Sequence, residues 1–121
     1  MKNYAEISHE IMQAYIDCWD LKDWQKDFDR VTKARNLNFR ASAPLMQDQA
    51  IAVFKKAVPH GYNNFRADLL LALPEGCKVT VAREGSVCIY VDPKPSDDVI
   101  ARLMVDESDD YQGKGWRLWW D

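Results

Sequence analysis

Residues 77–92, CKVTVAREGSVCIYVD, decide the fold, because two runs of alternating apolar residues flank a short polar segment that contains a glycine. A period of two is typical of strands that bury one face. The apolar positions are Cys77, Val79 and Val81 in the first run and Val87, Ile89 and Val91 in the second. The stretch therefore predicts a β-hairpin.

The length of the hairpin loop decides which apolar residues face each other. A two-residue loop would pair Val81 with Cys88 and place the two apolar sets on opposite faces. A loop of residues 83–85 pairs Val81 with Val87, so that all the apolar positions share one face. It also places Gly85 at the left-handed position of a bulged turn. We expect this three-residue loop, with helices covering the apolar face, because an isolated hairpin is marginally stable in water.

Helices are predicted on both sides of the hairpin, since apolar residues recur there at steps of three and four. The predicted spans are 4–19, 21–35, 44–57 and 63–73. Ser42 before Pro44 is a start signal for the third. Ser96 followed by two aspartates predicts a further helix, because a cap and anions stabilise the positive end of the dipole. We predict a solvated loop for the acidic run 106–110 and a last strand for residues 116–120.

Composition fits one folded domain. The chain has 121 residues, of which 47% are hydrophobic, enough for a substantial core. We therefore expect a single α+β domain over residues 1–121, with N-terminal helices on a small antiparallel sheet made of hairpin 77–92 and the C-terminal strand. The net charge of −3 argues against a nucleic-acid binder, although a basic stripe within residues 22–40 keeps that alternative open.

No feature of the sequence indicates a cofactor or a metal. Asp106, Ser108 and Asp110 match an EF-hand loop, but Tyr111 and Arg117 stand where that loop needs glycine and glutamate. The three cysteines form no C-x-x-C pair, which favours a reducing compartment. We find no signal peptide and no membrane span in the sequence, so we expect a cytoplasmic protein.

Catalysis is the less favoured hypothesis. His60 could act as a general base with Tyr62 or Cys88, but no orienting acid stands nearby in the sequence. Cys88 fits a second covered face of the hairpin better than a reactive thiol, because nothing indicates a lowered pKa.

The acidic and aromatic C-terminal segment is the candidate binding site. In a strand, Trp116, Leu118 and Trp120 would point to one side, and Arg117 and Trp119 to the other. Tryptophan and arginine are common anchors of protein interfaces. The predicted partner-binding residues are Asp106, Glu107, Asp109, Asp110, Trp116, Arg117, Trp119 and Trp120.

A short resemblance adds a class of proteins to consider. Residues 57–60 (AVPH), Tyr62 and residues 67–69 (ADL) resemble a stretch of the phage restriction inhibitors that mimic DNA. The resemblance implies small phage and mobile-element proteins, but this chain departs from that family's strongly acidic surface with 16 basic residues. We therefore expect a stoichiometric inhibitor or adaptor, of the immunity-protein or anti-defence type, that binds another protein, and the acidic run 106–110 favours a basic one. A homodimer would also fit the exposed aromatics.

Overall fold

The chain forms an α+β fold with a four-stranded antiparallel sheet. The computed structural model describes residues 10–15, 17, 33, 42, 44–82, 86–110 and 115–121. The strands are β1 (Lys78–Val81), β2 (Val87–Asp92), β3 (Glu107–Asp110) and β4 (Trp116–Trp120). The helices are α1 (Gln47–Ala57), a 3₁₀ helix (Ala67–Ala72) and α2 (Asp97–Arg102). Among the described helices, none is long and apolar enough to cross a bilayer.

The predicted hairpin is confirmed, but the strand register that we predicted for it is wrong. Val79 pairs with Val91 and Val81 with Ile89, two residues away from the expected partners. Because the shift is even, these aliphatic residues still share one face of the sheet. The prediction for Gly85 lies outside the described residues.

The sheet order is β1-β2-β4-β3, so the C-terminal strand β4 lies inside the sheet rather than at its end. The predicted acidic loop is wrong over residues 107–110, which form β3 and pair with β4. The prediction failed because aspartate and glutamate have low strand propensity, and pairing with a strongly apolar neighbour outweighs that preference.

The third predicted helix begins later than expected. Ser42 and Leu45 do not start a helix but run beside β1, and α1 starts at Gln47. Gln49 accepts a hydrogen bond from the Met46 N–H at 2.8 Å, which satisfies one of the open donors at this end. The predicted helix 63–73 is shorter too, because only Ala67–Ala72 are helical.

The helix after the hairpin is confirmed. The Ser96 hydroxyl accepts from the Val99 N–H at 3.3 Å and caps α2. Leu103 is fully buried at its end, whereas Met104 has a positive φ of 56° and is exposed. Of the predicted helix 4–19, residues 10–15 and 17 are described and helical. The helix predicted at 21–35 lies outside the described residues, apart from residue 33.

The sheet is buried on both faces at its centre. The face with Val81, Ile89 and Leu118 belongs to the main core, which also includes Phe54 of α1 and Ile11. On the other face, the hairpin residues are also inaccessible to solvent; these are Thr80, Ala82, Cys88 and Tyr90. The expectation that Cys88 lies on a second covered face is therefore confirmed.

Candidate functional site

The acidic strand β3 and the aromatic strand β4 form a ribbon at one end of the sheet. Glu107 lies opposite Trp119, and Asp109 lies opposite Arg117. Directly opposed residues share a face, so these four side chains lie together on one side of the ribbon. We call them the ribbon face. The alternation of β4 had predicted that Arg117 and Trp119 would lie together, but not which side chains would stand beside them.

Arg117 is held by its own sheet. Its side chain is only 12% exposed, and its Nη1 lies 3.3 Å from Oε2 of Glu107 and 4.0 Å from Oδ2 of Asp109. Its guanidinium carbon also lies 5.6 Å from the centroid of the Trp119 ring, within cation–π range. Arg117 therefore lies between the two carboxylates and the indole ring and orients these neighbouring side chains.

The two carboxylates are the exposed part of the ribbon face. The side chains of Glu107 and Asp109 are 59% and 55% exposed, so each is reached by solvent beside Arg117. Ion pairs of such exposed groups add little to stability, typically about 0–1 kcal/mol. The carboxylates therefore stay accessible to an incoming positive charge at small conformational cost.

Trp119 is half-buried and fixed in position. Its indole N–H donates to the Ser86 hydroxyl at the start of β2, and its ring lies beside Arg117. A rigid, partly exposed tryptophan loses little entropy on binding, which is the property of an interface anchor.

Trp120 does not belong to the surface. It is fully buried, its indole N–H donates to the Leu103 carbonyl at 2.8 Å, and its ring packs edge-on against Phe65 at 4.8 Å. Its predicted role as a partner anchor is therefore wrong in this fold, because the alternation of β4 directs it into the core. Trp116 shares that side, is half-buried and has the Lys94 ammonium 4.5 Å from its ring centroid.

The remaining predicted carboxylates lie at the two ends of β3. Asp106 accepts from the Asp121 N–H at 2.7 Å through its side chain, and its own N–H donates to the Trp119 carbonyl at 2.9 Å. Asp110 is exposed and pairs with Trp116, so it lies on the opposite side from the ribbon face. The eight predicted residues are therefore near one another in the sheet but are divided between its two sides.

The structure does not support the alternative hypothesis of catalysis by His60 with Tyr62 or Cys88. His60 is exposed in a turn, whereas Tyr62 is buried and Cys88 is sealed within β2. A small pocket of about 120 Å³ lies near this turn and is lined by Lys55, Val58, Pro59, Gly61, Arg66, Ala67 and Asp68. Its charges are paired within the chain, since Lys55 lies 3.4 Å from Asp68 and Arg66 donates to two backbone carbonyls at 2.7 Å.

No metal-ligand cluster occurs in the described part of the chain, where groups of three His, Cys, Asp or Glu side chains close enough for an ion are absent. Burial raises the pKa of the Cys77 thiol, with Asp92 as a smaller influence, so this cysteine favours its neutral, unreactive form.

The chain has no match among protein-family models, curated proteins or solved structures.

Proposed function

We propose that this chain is a protein-binding protein, an inhibitor or adaptor that acts by occupying a partner rather than by catalysis. The observation that supports this most directly is the ribbon face, where exposed carboxylates stand beside a rigid, partly exposed tryptophan. An aromatic anchor with a charged rim is the usual anatomy of a specific protein interface.

The charge of the face favours a basic partner. Glu107 and Asp109 would steer a positively charged surface toward the ribbon and increase the association rate at low salt. Trp119 would supply the buried area that slows dissociation, while Arg117 keeps the ring and the carboxylates in position. An immunity protein that blocks a toxin, or a phage protein that blocks a defence enzyme, would use such a face.

The proposal is tested by quantitative capture from cells in which the chain naturally occurs. The site variant combines Glu107→Gln with Asp109→Asn, so that the amide oxygens can still accept from Arg117. The control combines Asp48→Asn with Glu75→Gln, two exposed carboxylates outside the sheet, and changes the net charge equally. Circular dichroism checks that both variants are folded.

We expect wild type and control to capture one protein in a fixed stoichiometric ratio, and the site variant to capture at least about tenfold less, as for loss of interface hot spots. Trp119→Ala should lose the same protein. Equal capture by the site variant and the control, or no stoichiometric partner, would count against the proposal.

A further inference from the structure

The two ends of the sheet differ in how their backbone groups are satisfied. At the β1 end, the Ser42 N–H donates to the Val81 carbonyl at 2.8 Å, and Leu45 and Val79 exchange hydrogen bonds of 2.7 and 2.8 Å. The Ser42 hydroxyl also accepts from the Val81 N–H at 2.9 Å. Ser42 and Leu45 therefore cover this edge in the way that a fifth strand would.

The β3 end carries no such cover within the described parts of the chain. Among the described strands, β3 is the last in the sheet order and pairs with β4 alone. Its sequence, ESDD, contains no proline, so Glu107, Ser108 and Asp109 each keep the backbone N–H that proline would lack. The groups of an edge strand that point away from its neighbour are a template for pairing with another chain.

The side chains of β3 indicate what kind of chain would pair there. Glu107, Asp109 and Asp110 carry negative charge on both sides of the strand, so pairing with a second copy of β3 would oppose like charges and is disfavoured. An added strand would lie about 4.8 Å from β3, and β3 would separate it from β4 and Arg117. Lysine or arginine on its ribbon side would therefore stand directly opposite Glu107 and Asp109.

We propose that β3 receives an extended segment of another protein, with lysine or arginine at alternate positions, as an added antiparallel or parallel strand. This inference rests on the proposed function and specifies its mode: backbone hydrogen bonds supply affinity, and the alternating charges supply specificity.

The test uses a fluorescein-labelled seven-residue peptide of sequence KTKVKTK and measures its binding to the whole chain by fluorescence anisotropy. Two further peptides of the same sequence each carry three backbone N-methyl groups. In the first peptide the methyl groups are on alternate residues starting from the second residue, and in the second peptide they are on alternate residues starting from the third. The two have the same charge, but only one alternate set of N–H groups can point at β3.

We expect the unmodified peptide to bind and one methylated peptide to bind about tenfold or more weakly than the other, because it loses backbone hydrogen bonds to the edge. Glu107→Gln with Asp109→Asn should weaken the unmodified peptide, and Asp48→Asn with Glu75→Gln should not.

Three results would overturn strand addition. The unmodified peptide does not bind, or both methylated peptides bind equally, or the wild type self-associates in sedimentation equilibrium and Glu107→Gln with Asp109→Asn, which removes the like charges of β3, tightens the dimer. If the methylated peptides bind equally but the site variant still loses its protein partner in the capture experiment, the acidic surface binds through charge alone. In that case strand addition fails while the proposed function stands.

Discussion

Trp119 and Trp120 are neighbours in the chain, yet one lies at the surface and the other in the core. Replacing each by phenylalanine should therefore lower the free energy of unfolding by different amounts. Trp120→Phe removes about three carbon-sized groups from a fully buried site, at about 0.8 kcal/mol per buried CH₂. It also leaves the buried Leu103 carbonyl without its donor, which costs about 1–3 kcal/mol. We expect a loss of about 3–5 kcal/mol from the free energy of unfolding.

Trp119→Phe should cost less, because the ring is only partly buried and the variant loses chiefly the hydrogen bond to the buried Ser86 hydroxyl, at about 1–3 kcal/mol. Urea unfolding followed by far-ultraviolet circular dichroism measures both variants without relying on tryptophan emission. Equal losses, or a larger loss in Trp119→Phe, would refute the assignment of Trp120 to the core and of Trp119 to the surface.

Three further predictions concern the frame around the ribbon. Gly61→Ala should destabilise the fold more than Gly76→Ala, because both have positive φ but only at Gly61 would a Cβ displace the Arg66 side chain from its hydrogen bonds to the Asn63 and Phe65 carbonyls. Thermal melts compare the two variants, and equal losses would contradict the displacement. Ser96→Ala should cost about 1 kcal/mol in urea unfolding through loss of the α2 cap, and an unchanged midpoint would show that the cap is not needed. Burial raises the pKa of Cys77, so the folded state holds the thiol proton more tightly than the unfolded chain does. The free energy of unfolding should therefore fall as the pH rises past about 8.5, the usual thiol pKa. A fall of equal size in Cys77→Ala would exclude this thiol as the cause.

The alternation of side chains in β4 predicted only part of the ribbon face. Alternation in β4 separated Arg117 and Trp119 from Trp116 and Trp120, because successive side chains of a strand point to opposite sides. The same pattern left open which set would enter the core, since both contain tryptophan. The pairing of β3 decided the rest, by placing Glu107 and Asp109 beside Arg117.

The sequence by itself determined the elements whose signals are local: the hairpin, the Ser96-capped helix, the C-terminal strand and hence the α+β class. Only the tertiary structure decided the hairpin register, the inner position of β4 and the strand character of ESDD. The physical reason is that these features depend on pairing between distant segments. The intrinsic preference of acidic residues opposes a strand at 107–110, and only the hydrogen bonds and cross-strand contacts offered by β4 reverse it.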